Sequence, residues 1–182
     1  MLIKTYKPFD SIPEKTILPQ QNHGIGIVEI VTGSEDLFAC DGIWTRDFSK
    51  ILGIKTADCA AIAFWQNDKF GILHAGWRGL CAGIIEKMLE NFEQPQIFVG
   101  PLYPKFKIQK DSCYHQIKTK FGTHFFSKIE GEKSFLFDFI SAIHSIVPNA
   151  RFDSRSTFHD FNLASWRRDF DEKRNITIIS GK

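Results

Sequence analysis

Apolar positions in the first part of the chain alternate or run together, and only after Leu80 do they recur at helical spacing. The stretch "GIGIVEIV", Gly24 to Val31, is rich in β-branched residues and predicts a strand. "DGIWT" and "ILGIKT" predict short extended segments, while "AAIAFW" and "KFGIL" flank the polar break Gln66-Asn67-Asp68-Lys69 as a hairpin. Leu80, Ile84, Ile85, Met88, Leu89 and Phe92 then share one helical face, with Glu86, Lys87 and Glu90 on the other. "QIFVG" returns to a strand, and Asp111 or Ser112 caps a predicted helix carrying Tyr114, Ile117 and Phe121. A further helix is predicted from Asp138 to Val147, stopping before Pro148; "ARFD" and "NITIIS" are the last predicted strands. The βαβαβ alternation of a doubly wound sheet is missing, and no repeat or linker divides the chain. The pattern therefore predicts one α/β domain over residues 1–182, with a mixed β-sheet and helices packed on it.

The hairpin places two reactive side chains together. With Asn67 and Asp68 as central turn residues, His74 faces Ala61 across the pair. Side chains two apart in a strand share a face, so Cys59 uses the face of His74, with Cβ atoms about 7–8 Å apart. A one-residue slip would send them to opposite faces. Three readings stay open: two ligands converging on a metal ion, a cysteine nucleophile with its histidine base, or two residues that merely pack. Both residues lie where apolar runs end, the usual place for site residues at a sheet's rim. Asp58 precedes the cysteine, while Gly76, Arg78 and Gly79 follow the histidine at a predicted helix start, where N–H groups and a guanidinium make an oxyanion site. His23, in "QQNHGIG", stands beside a glycine that lets a ligand approach and offers a third metal ligand. Three protein ligands with an open position is the arrangement of catalytic zinc, at which water ionises near neutral pH.

Composition narrows the class. The 182 residues, 43% hydrophobic and 24% charged, match a soluble globular protein with a real core. Eighteen phenylalanines predict a core filled by rings. A net charge of +2 without a basic block predicts no nucleic-acid partner and no membrane partner. No apolar run approaches the roughly 20 residues that cross a bilayer. "MLIKTYKPFDSIPEK" lacks the apolar run of a signal peptide, so a cytoplasmic location is expected. Cys40, Cys59, Cys81 and Cys113 have neither CxxC spacing nor the density of a disulfide scaffold, and are expected as free thiols.

"NHG", "TADC" and "HAGWRGL", followed by "VGP" and a late "SWRRD", resemble the laccase-domain purine nucleoside phosphorylase family, also known as multicopper polyphenol oxidases and peptidoglycan editing factors. The matches run in order from His23 to Arg168. The resemblance implies a zinc ion held by His23, Cys59 and His74, with copper less favoured. It implies phosphorolysis of adenosine, inosine, guanosine and methylthioadenosine, plus deamination of adenosine, so purine nucleosides and phosphate are the expected partners. It also implies a layered α/β fold related to cysteine-hydrolase-like toxin domains, a kinship that keeps the nucleophile reading open. In the nucleoside reading Asp58 is the expected acid–base group, and Arg46 and Arg78 are expected to hold phosphate, with Arg167 and Arg168 as alternatives. Trp77 is a candidate ring to stack on the base. The chain departs from the family pattern at Leu102, where members often carry a cysteine, and at Ser156-Thr157, where they often show "CT". Both losses leave the three proposed ligands intact and disfavour an additional copper site. The chain also reads short at its N-terminus against the pattern, and a missing substrate lid is an expectation of the resemblance. The competing readings are a Cys59–His74 amidase acting on a cell-wall precursor, a metal-stabilised binding module without turnover and, least supported, a copper polyphenol oxidase.

Overall fold

The alternating and unbroken apolar runs form strands in the computed structural model, which describes residues 1–181. In chain order the first strands are β1 (Leu2–Tyr6), β2 (Thr16–Ile17), β3 (Ile27–Glu29), β4 (Gly42–Thr45), β5 (Ile51–Thr56), β6 (Ala60–Gln66) and β7 (Lys69–Ala75). Two short helices follow, α1 (Trp77–Ala82) and α2 (Ile84–Leu89). Strands β8 (Gln96–Val99) and β9 (Lys105–Ile108) lead to α3 (Ser112–Phe121); β10 (Phe126–Lys128) and β11 (Phe135–Asp138) lead to α4 (Phe139–Ile146). Strand β12 (Arg151–Phe152), helix α5 (Trp166–Asp169) and strand β13 (Asn175–Ser180) complete the order.

These strands build three sheets rather than the single one expected: six strands in the order β12-β8-β6-β7-β4-β3, four in the order β1-β13-β5-β2, and three in the order β10-β11-β9. The six-stranded sheet is mixed, with β3 parallel to β4 and β12 parallel to β8 among antiparallel neighbours. Both of its faces are covered, so its central strands carry unbroken apolar runs. Ala61, Ala63, Phe70 and Ile72 pack with Leu52, Ile54 and Ile179 of the four-stranded sheet. Ala60, Ile62, Phe64 and Leu73, one position out of phase, enter a second core with Leu80, Ile84, Ile85 and Met88 from the helices.

The hairpin register is the predicted one: Ala61 pairs with His74 and Gln66 with Lys69, leaving Asn67 and Asp68 as the turn. The predicted strand over Gly24 to Val31 is regular only over β3. The helical face after Leu80 is broken at Gly83, whose φ of +91° is the left-handed conformation that glycine adopts without a Cβ penalty. Asp111 and Asp138 cap α3 and α4 by accepting from backbone N–H groups in their first turns. Strands β9 and β11, four residues each, are too short for periodicity to separate from loop. They carry much of the ring core: Phe106 packs edge-on against Phe137 and Phe139, with centroids 5.4 and 5.7 Å away. The phenylalanine count overstates that core, because Phe9, Phe38, Phe161 and Phe170 are exposed. No helix among the described residues is long and apolar enough to cross a membrane.

Candidate metal centre

Strand register and one loop bring the proposed ligands together. Cys59 stands one residue before β6 and His74 one residue before the end of β7, so both reach the same rim on the face that packs toward the four-stranded sheet. His23 arrives from the loop between β2 and β3. The ligand atoms of His23, Cys59 and His74 all lie within 4.8 Å of one another. Gly76 leaves them room: a Cβ there would stand 3.0 Å from His23 Cδ2 and 3.1 Å from Cys59 Sγ.

Asp41, which the sequence did not single out, organises this cluster. Its side chain is fully buried and accepts from His74 Nδ1 at 2.7 Å. It also accepts from the backbone N–H groups of Asn22, His23 and Gly24 at 3.1, 3.0 and 2.9 Å. One carboxylate therefore orients one proposed ligand and pins the loop that carries another, whose His23 adopts a left-handed φ of +63°. With Nδ1 donating to Asp41, His74 presents Nε2 to the cluster, the pairing by which a carboxylate fixes a ligand's tautomer and raises its basicity. In sequence, Asp41 before Gly42 has the signature of an ordinary turn aspartate.

The same contacts set the charges. Burial pushes the Cys59 thiol up, but hydrogen bonds with His23 and His74 outweigh it and hold the pKa at about 6. Burial pushes His74 down, yet Asp41 and then Cys59 raise it to about 9. Burial likewise opposes ionisation of Asp41, while His74 and the backbone N–H donors keep it below the usual carboxylate value.

Asp58 lies beside Cys59, with both carboxylate oxygens engaged inside the fold. Its Oδ1 accepts from Thr157 Oγ1 and its Oδ2 from the Arg167 backbone N–H, each at 2.7 Å. With both oxygens engaged and the residue 6% exposed, it positions the C-terminal segment against the start of β6. Asp58 itself has a φ of +87°, so the turns that carry His23 and Cys59 each contain a left-handed residue, His23 in one and the buried carboxylate in the other.

A cavity of about 630 Å³ opens on the cluster and is lined by His23, Cys59, His74, Trp77, Arg78 and Arg167 among others. Arg78 thus stands where the sequence places it. Arg46 does not: it pairs with Asp68 at the hairpin turn and with Glu29, at the other end of the β6–β7 pair from Cys59 and His74. Of the adjacent arginines in "SWRRD", Arg167 borders the cavity. Arg168 instead donates to the carbonyls of Thr157 and Leu163 at 2.6 and 2.7 Å and pairs with Asp169.

A family model described as multi-copper polyphenol oxidoreductase laccase matches residues 6–170. The chain belongs to that family. Among curated relatives, a purine nucleoside phosphorylase of Aquifex aeolicus is 25% identical over 174 residues, covering 91% of this chain and 82% of that protein. A purine nucleoside phosphorylase of Staphylococcus epidermidis is 30% identical over 103 residues, covering 48% of this chain and 39% of the relative. The alignment thus spans less than half the length of that second protein. The solved structure of Bacillus licheniformis hypothetical protein YfiH superposes with a TM-score of 0.82 at 21% identity, covering 92% of this chain and 74% of that one. That likeness establishes the mixed α/β fold.

The family's description speaks of several coppers, whereas one convergent group of three His, Cys, Asp or Glu residues occurs among the described residues. Two imidazoles and one thiolate form a mixed N/S donor set that fits a single zinc ion. The two departures from the family pattern are neighbours, since Leu102 and Ser156 meet in an isolated parallel bridge, and the residues that follow them, Tyr103 and Thr157, both hydrogen-bond to Asp58 beside Cys59.

Proposed function

We propose that the protein is a zinc-dependent purine nucleoside phosphorylase, acting on adenosine, inosine, guanosine and methylthioadenosine, that also deaminates adenosine. The observation that carries this reading is the convergence of His23, Cys59 and His74 on one cavity that Arg78 also lines. The names of the Aquifex and Staphylococcus relatives supply the reaction class. Zinc held by the three side chains would supply Lewis acidity and make a water-derived nucleophile available near neutral pH. In phosphorolysis, phosphate attacks the ribose C1′ as the purine leaves through a cation-like transition state. Arg78 offers a guanidinium to the phosphate, Trp77 offers a ring to the base, and Asp41 keeps His74 in the tautomer the cluster needs.

The test is to measure bound metal in the purified protein and to assay inosine with and without phosphate, for wild type and Cys59→Ala. Phosphate-dependent hypoxanthine release that falls about a hundredfold or more in the variant, together with the bound zinc, is expected. Full activity in metal-free protein overturns the reading.

A second reading has its own observation. A thiol held at about 6, a histidine beside it and the buried Asp41 behind that histidine form a nucleophile–base–orienter arrangement. An amidase built on it would be inactivated by thiol-blocking reagents and unaffected by chelators.

A further inference from the structure

Six of the chain's seven arginines fall into two groups. Arg46, Arg155 and Arg168 pair with the carboxylates of Asp68, Asp153 and Asp169. The three that line the metal cavity, Arg78, Arg167 and Arg174, pair with no carboxylate among the described residues. Each lies over an aromatic ring, as Arg46 and Arg168 also do, but has no carboxylate to hold it: Arg78 is 4.7 Å from the Trp77 centroid, Arg167 is 4.0 Å from Phe106, and Arg174 is 6.0 Å from Trp166. They come from α1, from α5 and from the turn before β13, so their convergence is a product of the fold.

The lack of a carboxylate partner has a consequence. A guanidinium that no carboxylate holds keeps its N–H donors free, and those donors match the oxygens of a tetrahedral anion two at a time. Arg174 uses Nη1 on the carbonyls of Asp171 and Lys173, which leaves its Nε and Nη2 donors. Lys55 adds a fourth cation to the lining. The lining's one carboxylate, Asp58, is held by Thr157 and the Arg167 backbone and points its oxygens at those donors. A concave wall of one sign focuses the field and concentrates anions.

We propose that Arg78, Arg167 and Arg174 form an oxyanion site that holds inorganic phosphate beside the His23–Cys59–His74 cluster, whether or not the cluster holds a metal. The choice of phosphate among oxyanions rests on the phosphorylase reading; the site itself rests on three guanidiniums that line one cavity without a carboxylate partner among the described residues. Arg167 also borders a neighbouring cleft with Tyr103 and Phe106, whereas Arg78 and Arg174 line the metal cavity alone of the two. Arg78 and Arg174 are therefore the discriminating positions, and both are exposed, so their replacement leaves the core intact.

The experiment is a phosphorus-NMR titration of the full chain with inorganic phosphate, with and without chelator, alongside melting curves and zinc content. Phosphate is expected to bind in both states. Arg78→Gln and Arg174→Gln are each expected to weaken it about tenfold, and the double variant about a hundredfold, with zinc content and melting temperature unchanged. Arg155→Gln, which removes a carboxylate-paired arginine, is expected to bind phosphate as wild type does. Absence of millimolar binding, binding that vanishes on chelation, or wild-type affinity in the double variant overturns the site. Phosphorolysis by the double variant at the wild-type KM for phosphate also overturns the site and leaves the phosphorylase reading standing. Phosphate binding that is lost in the variants, in a protein that never cleaves inosine, supports the site and overturns the phosphorylase reading.

Discussion

The two ends of the β6–β7 hairpin each carry an ion pair, and the pairs have little else in common. At the turn, Arg46 meets Asp68 with side chains 55% and 51% exposed. At the open end, His74 meets Asp41 with side chains 3% and 0% exposed. Water screens the first pair and competes for its hydrogen bonds, so such pairs contribute about 0–1 kcal/mol. The second pair has no water to fall back on, and Asp41 also accepts from three backbone N–H groups, so losing one partner strands the others. The lesson is that residue type names a candidate, while burial and partners decide what it can do.

Breaking the buried pair should have the largest effect. Asp41→Ala leaves His74 Nδ1 and the N–H groups of Asn22, His23 and Gly24 without their acceptor. Zinc affinity, measured by chelator competition, is expected to fall 10- to 100-fold, on the order of what removing such a supporting carboxylate does. Stability in urea is expected to fall by about 3 kcal/mol. Wild-type zinc affinity in the variant would show that Asp41 serves the fold alone.

The reactivity of Cys59 sharpens the comparison. Its lowered pKa means that the thiolate is present above about pH 6 and lost as the pH falls through that value. Alkylation of metal-free protein followed by mass spectrometry is expected to label Cys59 at pH 7 roughly tenfold faster than Cys81 or Cys113, whose burial raises both thiols to about 11. Zinc is expected to protect Cys59. Equal labelling of the three would remove the electrostatic account of the cluster.

The exposed pair should give the smallest effect. Arg46→Ala is expected to change stability by about 0.5 kcal/mol or less and to leave bound zinc unchanged, by urea titration and metal analysis. A loss of zinc in this variant would mean that the turn and the open end are coupled.

Much of the hairpin was legible before any coordinates. Asn67-Asp68 between two apolar runs set the turn, and a period of two then put Cys59 and His74 on one face. The cap of α3 is readable as Asp111 or Ser112 because a cap acts on N–H groups two or three residues away, whereas Asp138, expected as the first residue of its helix, is the cap of α4. The helix break at Gly83 is masked in the sequence, because the apolar face continues on both sides of the glycine.

What the sequence determined by itself was local: alternation, turn chemistry and capping, each acting over a few residues, together with motifs that point to His23 as a third proposed ligand. The tertiary structure alone decided the rest. It placed Asp41 against Asn22, His23, Gly24 and His74, tied Asp58 to Thr157 and Arg167, gathered Arg78, Arg167 and Arg174 around one cavity, and sent Arg46 to the far end of the hairpin. These contacts join residues up to 109 positions apart, as between Asp58 and Arg167. No local period encodes them, because they exist only after sheets and helices have packed and removed the competing water.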